Sequence, residues 1–495
     1  MMVAARAMAA TSLASFRKDS RLNPQEYAAL SAREIAAGVN AGSLCPIEIA
    51  KAALSRLDEV DPQLNAFVYV ANDVIQQARK VAEKIASGIP AGPLAGVPVA
   101  VKDLISTKDM PTTFGSPLYR DYRPSVDDIA VERLRAAGAV LIGKTNCSEF
   151  GYGGFGHNPL FPTTRHPLDP RLTPGGSSAG SAVAVATGIC PLALGSDGGG
   201  SIRLPASFTG LVGIKASMGR VPLWPGCRDP ELPGASSWES IEHIGPLARD
   251  TYDAALLLSV IAGPDARDRY SIPCADLDWC AAAEATAPSG LRVAFCADWA
   301  GVPVDPEVRE VTRAAARSLC ARISAEFHEP AAPVIPLEIF RSVVAADTDY
   351  LGLRRSAADG MHLSRAVSRM LRQIPTPEQY HLARFGRMQA VLAMTDLMQE
   401  FDLLLTPSVA CLPFPVDLDS PGSIDGIAIA DDAWTPALFP MNLTGQPAAS
   451  VPAGQSSKGL PIGLQIVGRH LADALVISVA GLVRVNSVER VRVVS

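Results

Sequence analysis

One strand-helix-strand stretch near residue 100 constrains the fold of this chain more than any other feature. Residues 96–101 form a short, β-branched, apolar run, which is typical of a strand buried in a parallel sheet. Residues 125–128 can cap a helix that continues through Leu134, and residues 139–142 read as a second buried strand. This crossover predicts an α/β fold, a single large domain with a mixed, mostly parallel central β-sheet flanked by α-helices on both faces.

Two loops rich in glycine and serine follow this crossover. Residues 174–178 open an alanine- and valine-rich helix, and residues 195–201 follow another short apolar run, 191–194. Lys102 stands at the end of the first strand. Because α/β sheets bind ligands beyond the carboxyl ends of their strands, we expect Lys102 and both loops to lie on one rim.

The rest of the chain is less regular. Residues 1–25 read as a flexible leader, and residues 26–495 as one domain. Within that domain we predict three parts, listed in chain order: a core over residues 95–220, a variable cap and specificity region over about 221–440, and a C-terminal return to the sheet over 441–495. Three apolar runs, at residues 402–406, 448–453 and 463–467, read as strands. They indicate that the C-terminal part of the chain rejoins the sheet.

Composition excludes several classes of function. A formal net charge of −6 without a Lys/Arg run argues against nucleic acid as a partner. No apolar stretch is long enough for a membrane span, so we expect no membrane partner. Nine cysteines without a C-x-x-C pair do not form a disulfide framework, which favours the cytoplasm.

The two loops hold the parts that acyl transfer requires, namely an activated nucleophile and fixed donors for an oxyanion. Ser201 ends the second loop and is the candidate nucleophile. The glycines before it, at positions 198, 199 and 200, let backbone N–H groups approach a substrate oxygen, so Gly198, Gly199 and Gly200 are the oxyanion-hole candidates. Ser177 could relay the proton of Ser201 to Lys102, which needs no histidine.

The segments 174–182 and 195–205 resemble the signature region of the amidase signature family. Flanking segments extend the resemblance over roughly residues 30–470: 101–103, 143–146, 149–150, 213–215, 245–247, 442–445 and 460–465. The resemblance implies a serine, cis-serine, lysine triad that maps to Ser201, Ser177 and Lys102. It also implies no metal, no cofactor and hydrolysis of an acyl-enzyme.

Further site residues are expected on the same grounds. Ser178, Asp197 and Arg203 are predicted to support the two loops, Asp197 and Arg203 through hydrogen bonds. Five residues are candidates for the substrate pocket: Cys147, Tyr152, Gly153, Gly175 and Gly176. Specificity is expected from residues 152–155, 227–238 and 340–440.

Four residues depart from the family pattern: Ala179 for a glycine, Ser196 and Gly198 for threonines, and His166 for an asparagine. None removes a catalytic group. Gly198 is expected to loosen the oxyanion loop or to admit a bulkier acyl group.

Three other assignments compete with this one. Ser178 lies in a G-x-S-x-G pattern, whose best available base is His243. Lys144, Cys147 and Glu149 form a nitrilase-like set, but their closeness on one short segment argues against convergent geometry. Lys215 ends another predicted strand and is interpreted as structural, because it follows the nucleophile.

The sequence therefore predicts an amidase that cleaves a carboxylic C–N bond of a small-molecule amide, with aryl amides, esters and carbamates as related substrates. Two alternatives stay open: the amidase subunit of a tRNA-dependent amidotransferase, and a catalytically silent member used for binding. The sequence also leaves a homodimer open, because apolar helix faces suit either the core or a second copy.

Overall fold

The structure is a computed structural model that describes residues 22–226, 238–274, 277–299, 301–357, 362–372 and 376–483. Its strands are, in chain order, β1 Phe67–Val70, β2 Pro98–Lys102, β3 Val140–Thr145, β4 Leu192–Ser196, β5 Val212–Lys215, β6 Ile244–Ala248, β7 Arg292–Phe295, β8 Glu326–His328, β9 Leu403–Pro407, β10 Ser423–Ile424, β11 Ile427–Ala428, β12 Ala448–Gln455 and β13 Pro461–Gly468.

Eleven of the described strands form one sheet, in the order β1-β3-β2-β4-β6-β5-β12-β13-β9-β7-β8. Strands β3, β2 and β4 pair in parallel, as do β9, β7 and β8. The remaining neighbours pair antiparallel. The predicted mixed sheet is confirmed, and its parallel pairing occurs in these two groups. Strands β10 and β11 form a separate hairpin.

The α-helices that surround the sheet span Pro24–Ala29, Ala32–Asn40, Pro46–Leu64, Val74–Ala86, Ile129–Ala136, Ala179–Ala186, Arg203–Thr209, Thr251–Ile261, Trp279–Glu284, Pro306–Arg322, Leu337–Ala346, Tyr350–Ala357, Arg365–Arg372, Pro377–His381, Arg387–Glu400, Pro440–Thr444 and Asp473–Leu482. Shorter helical turns span Pro117–Tyr119, Glu149–Gly151 and Leu382–Gly386.

The predicted crossover is present between β2 and β3. Asp128 caps its helix by accepting a hydrogen bond from the Ala130 N–H, and Gly138 has a φ of +85° where the chain turns into β3. Every residue of β2 and β3 is buried, as expected for parallel strands covered on both faces. The rim that follows these strands is therefore held rigidly by the core.

Two regions differ from the expectations. The leader is predicted to reach residue 25, yet Asn23 forms a capping box for a helix that begins at Pro24. Residues 1–21 lie outside the described part of the chain. The chain beyond the core is expected to be less regular, yet most of the described residues in 337–357, 362–372 and 376–400 are helical, and we call these residues the cap.

The cap packs against the segments that follow β2 and β3 through an apolar cluster. Leu353 and Val367 of the cap lie against Phe114, Phe150 and their neighbours. The contact buries apolar surface and positions the cap above the rim. Across the described ranges, no helix is both long and apolar enough to cross a lipid bilayer.

Candidate active site

Sheet order brings the predicted catalytic residues to one edge. Lys102 is the last residue of β2, and Ser196 is the last residue of the adjacent parallel strand β4. Ser177 lies in the turn before the helix Ala179–Ala186, and Ser201 lies just before the helix Arg203–Thr209. Because both loops follow strands that end at this edge, the residues meet there.

Lys102 is completely buried and contacts both loops. Its Nζ donates to Ser177 Oγ at 2.7 Å and to Ser196 Oγ at 3.0 Å, and it lies 3.3 Å from the Ser196 carbonyl oxygen. An amine held by this many fixed oxygens has little rotational freedom. Its position relative to Ser177 is therefore defined by the fold.

The turn at residues 176–178 connects the two loops. The Gly176–Ser177 peptide bond is cis. Ser178 donates through its N–H to the Ser201 carbonyl at 3.3 Å, and its Oγ lies 3.2 Å from the Ser196 carbonyl. Ser178 thus ties the serine turn to the loop that carries Ser201, in line with a supporting role.

Asp197 and Arg203 form a completely buried ion pair beneath the glycine loop. Arg203 Nε and Nη2 each lie 2.9 Å from an oxygen of Asp197, and Asn442 donates to the same carboxylate at 2.9 Å. Burial by itself raises the pKa of Asp197, but the charge and hydrogen bonds of Arg203 and the Asn442 amide outweigh it and hold that pKa below its usual range.

The backbone N–H groups of the glycine loop differ in whether they have a hydrogen-bond acceptor. The N–H of Gly200 donates to Asp197 Oδ1 at 2.7 Å and is therefore occupied. Among the described residues, the backbone N–H groups of Gly198, Gly199 and Ser201 have no hydrogen-bond acceptor. The Ser201 N–H is therefore a further candidate donor beside those of Gly198 and Gly199.

A cavity of about 850 Å³ opens above Ser201. Ser201, Gly199 and Gly200 line its floor, and its walls come from residues 151–155, Trp238, the cap and residues 430–439. Several aromatic side chains line the cavity: Tyr152, Phe155, Trp238, Phe340, Tyr350, Trp434 and Phe439. Of the predicted pocket residues, Tyr152, Gly153 and Gly176 line this cavity.

Two of the predicted pocket residues lie elsewhere. Cys147 is completely buried in the cluster with Phe114 and Phe150, where burial raises the pKa of its thiol. Gly175 packs so tightly that a Cβ would lie 2.2 Å from Leu204. Neither residue lines the cavity, so their assignment to the substrate pocket stays a prediction without support from this placement. Of the specificity segment 227–238, only Trp238 falls within the described residues.

Charged residues form the outer rim of the cavity. Arg369 of the cap lies 2.7 Å from Asp431, and Arg341 of the cap forms a two-point ion pair with Asp432. All four residues line the cavity. The cap is thereby joined to the loop that follows the β10–β11 hairpin.

The contacts of His243 and Lys215 do not support either residue as the catalytic base. His243 Nδ1 lies 2.9 Å from the Ile241 carbonyl, and its Nε2 lies 3.4 Å from Lys215 Nζ, so its described contacts do not include Ser178. Burial lowers the pKa of Lys215 to about 7, and its amine donates to the Gln446 carbonyl. Both residues lie in the structural core beneath the glycine loop.

Lys144 and Glu149 of the nitrilase-like set are hydrogen-bonded to residues outside that set. Lys144 contacts the Ile105 carbonyl at 2.7 Å and Thr112 Oγ1 at 2.6 Å, and Glu149 accepts from Ser116. His166, the departure from the family's asparagine, is also structural. Its Nε2 lies 2.8 Å from the Phe208 carbonyl, and burial lowers its pKa to about 4.

Sequence reasoning missed several residues of the site. Ser196 contacts Lys102 directly, and Asn442 contacts Asp197, although both lie in segments that carried the resemblance. Phe340 lies against Gly199, and no motif surrounds it. Across the described residues, no group of three His, Cys, Asp or Glu side chains could hold a metal ion.

Comparison with known proteins agrees with this architecture. The family model described as "Amidase" matches residues 48–477. The chain is 37% identical to a glutamyl-tRNA(Gln) amidotransferase subunit of Symbiobacterium thermophilum over 472 residues, covering 89% of this chain and 93% of the relative. It is 34% identical to an acylamidase of Rhodococcus erythropolis, covering 91% of this chain and 94% of the relative.

A solved structure is similar over nearly the whole length. A bacterial aryl acylamidase of the amidase signature enzymes superposes with a TM-score of 0.83 at 30% identity, covering 94% of this chain and 96% of that chain. The chain therefore belongs to the amidase signature family and is an amidohydrolase with a serine nucleophile.

Proposed function

We propose that the chain hydrolyses the C–N bond of a small-molecule carboxylic amide through an acyl-enzyme on Ser201. One observation carries this proposal: the buried Lys102–Ser177 hydrogen bond of 2.7 Å lies at the rim where the Ser201 loop meets the cavity. A Cβ on Gly151, which lines the cavity, would lie 3.5 Å from Ser177 Oγ. Ser177 is thus directly behind the cavity wall.

The proton path follows from this order. Ser201 Oγ attacks the carbonyl carbon while its proton passes to Ser177 Oγ, whose own proton passes to the unprotonated amine of Lys102. The C–N bond then breaks, and the same two residues return a proton to the leaving nitrogen. Water attacks the acyl-enzyme by the reverse route, which releases the carboxylic acid and restores Ser201.

Backbone donors stabilise the charge that develops on the carbonyl oxygen. The N–H groups of Gly198, Gly199 and Ser201 have no acceptor among the described residues. The Asp197–Arg203 pair fixes the loop from below, because Asp197 accepts from Gly200 at 2.7 Å and from Ile202 at 3.2 Å. Donors that are fixed before the reaction need no reorganisation in the transition state.

The cavity suits a small organic amide. Its volume of about 850 Å³ and its aromatic walls fit a drug-sized molecule with an apolar group. The similar aryl acylamidase structure supports anilides as the first substrates to test. Esters and carbamates follow, because the same acyl chemistry cleaves them.

A panel of amides, anilides, esters and carbamates tests the proposal. We expect turnover of at least one class by the purified chain, loss of that turnover in Ser201→Ala and a measurable rate in Ser178→Ala. Full activity of Ser201→Ala, or a loss confined to Ser178→Ala, would overturn the assignment of the nucleophile.

A second candidate function is the amidase subunit of a tRNA-dependent amidotransferase. The name of the Symbiobacterium thermophilum relative favours it. This function requires glutamine as ammonia donor and partner proteins, so release of ammonia from glutamine only with added partners would support it. If no amide or ester is cleaved under either condition, a binding role without catalysis takes precedence.

A further inference from the structure

Each glycine of the loop before Ser201 is covered by a large apolar side chain. A Cβ on Gly198 would lie 2.5 Å from Trp238, and one on Gly199 would lie 2.6 Å from Phe340. A Cβ on Gly200 would lie 2.6 Å from Leu438. Real Cβ contacts are not this short, so these side chains rest directly on the glycine backbone.

Gly198 differs from its neighbour Gly200 in its backbone conformation. Gly200 has a φ of +116°, which favours glycine, whereas the φ of Gly198 lies outside the positive region. The three atoms nearest to a Cβ on Gly198, at 2.5, 2.9 and 3.7 Å, all belong to the Trp238 ring. Among the described residues that are not its chain neighbours, only Trp238 lies within 3.7 Å of a Cβ at position 198.

Trp238 is held in this place by hydrogen bonds that reach the cap. Its Nε1–H donates to Tyr152 OH at 3.2 Å, and the two rings meet edge to face with centroids 4.8 Å apart. Tyr152 OH is hydrogen-bonded to Thr348 Oγ1, which lies 2.6 Å from the Val344 carbonyl. The indole therefore cannot rotate away from Gly198 without breaking its hydrogen bond to Tyr152, whose hydroxyl is in turn bonded to the cap.

Gly198 is expected from the sequence to leave room for a bulkier acyl group. That room is instead filled by Trp238, which lines the cavity together with Phe340 and Phe439. The Phe340 and Phe439 rings lie 5.3 Å apart. The Trp238 ring thus occupies the space that a side chain at position 198 would take, beside the proposed oxyanion donors.

We propose that Trp238, seated on Gly198, and Phe340, seated on Gly199, form a subsite that selects amides with a flat aromatic ring attached directly to the scissile amide group. The proposal rests on the proposed function of Ser201. Flat rings pack edge to face or offset against such walls, whereas saturated rings are too thick to do so equally well. The ring can belong to the acyl part or to the amine part, and the substrates below distinguish the two.

Matched substrate pairs test the selection. Benzamide against cyclohexanecarboxamide places the ring on the acyl side, and acetanilide against N-cyclohexylacetamide places it on the amine side. For each enzyme form, the ratio of kcat/KM for the aromatic and saturated members is measured, and the ratio of the variant is divided by that of the wild type. Intrinsic reactivity cancels in this comparison.

For one of the two pairs, Trp238→Ala should lower the aromatic preference about three- to tenfold, and Trp238→Phe should retain most of it. Gly198→Ala alone should lower kcat/KM about tenfold or more, because its Cβ meets the indole. The double variant Gly198→Ala/Trp238→Ala should recover to within about threefold of Trp238→Ala, since the two substitutions are coupled.

Trp434 offers a matched control. It also lines the cavity, but it rests on Gly154 and not on the glycine loop. Gly198→Ala/Trp434→Ala should therefore show no recovery. Thermal unfolding shows whether each variant is folded, and Trp238→Leu replaces Trp238→Ala if the alanine variant is not.

Labelling with a fluorophosphonate separates a failure of the subsite from a failure of the proposed function. If wild-type Ser201 is labelled but both preference ratios are unchanged in Trp238→Ala, the subsite is wrong and the proposed function stands. Absence of recovery in Gly198→Ala/Trp238→Ala would likewise overturn the coupling. If wild-type Ser201 is not labelled, the failure belongs to the proposed function.

Discussion

The buried amine of Lys102 donates a hydrogen bond of 2.7 Å to Ser177 Oγ. The two residues are 75 positions apart in the chain and meet because β2 ends beside the turn that follows β3 and its loop. A buried lysine facing a serine hydroxyl, next to a loop with unoccupied backbone donors, is the arrangement that serine acyl transfer without histidine requires.

Replacing the lysine should stop proton transfer. We expect Lys102→Ala to lower kcat by about 10²- to 10⁴-fold, the range that general acid–base groups contribute. Lys108→Ala is the matched control, because the Lys108 side chain is exposed. Steady-state kinetics on a substrate found in the panel measure both variants. Comparable kcat values in the two folded variants would contradict the assignment of Lys102.

Ser196 is expected to act as a positioning residue. Its Oγ lies 3.0 Å from Lys102 Nζ, so Ser196→Ala removes one of the oxygens that orient the amine. We expect kcat to fall by about fivefold with little change in KM, because one neutral hydrogen bond contributes roughly 1 kcal/mol. Ser196→Thr keeps the hydroxyl and should restore kcat. An equal loss in the alanine and threonine variants would exclude this role.

The Asp197–Arg203 pair should matter for stability as well as activity. Asp197→Asn leaves Arg203 buried without its charge partner, which typically costs about 3–5 kcal/mol in the free energy of unfolding. Asp169→Asn breaks the solvent-exposed Asp169–Arg171 pair and should have a much smaller effect, because solvent screens exposed ion pairs. Urea unfolding compares the two. Similar losses for both would show that the buried pair is not a structural anchor of the loop.

Asp128 predicts a pH dependence with a definite sign. Burial raises the pKa of Asp128 to about 8 in the folded chain, against about 4 when unfolded. Between these values the folded state keeps a proton that the unfolded state has lost, so this residue lowers stability as pH rises from about 4 to 8. Asp128→Asn keeps an oxygen that can accept the 3.0 Å hydrogen bond from Ala130 and does not titrate.

The change in unfolding free energy on Asp128→Asn should therefore be more favourable at pH 8 than at pH 5. Urea unfolding of both proteins at the two pH values measures it. An identical effect at both pH values would show that the carboxyl titrates normally in the fold.

The sequence predicted those features that depend on local pattern. Residues 96–101 and 139–142 are apolar and β-branched, and they form β2 and β3 within two or three residues of the expected bounds. Lys102, Ser177 and Ser201 could be chosen because each lies next to a strand end or a glycine-rich turn. These three residues lie at one edge of the sheet because β2 and β4 are adjacent parallel strands that end there.

Other features depend on contacts that no local pattern encodes. Ser196 meets Lys102 only because β4 is the neighbour of β2. The Gly200 N–H is occupied because Asp197 folds back over three residues. Phe340 and Trp238 reach the glycine loop from segments more than 30 residues away, and their position depends on tertiary packing. Cys147 cannot be placed from the sequence, because only the packed core shows that its side chain lies in the apolar cluster with Phe114 and Phe150.

The most direct test of the central claim is to treat the purified chain with a fluorophosphonate and map the modified residue by peptide mass. We predict modification of Ser201, its absence in Ser201→Ala and slower modification in Lys102→Ala. Modification of Ser178, or none in a protein shown to be folded, would contradict the assignment of Ser201 as nucleophile.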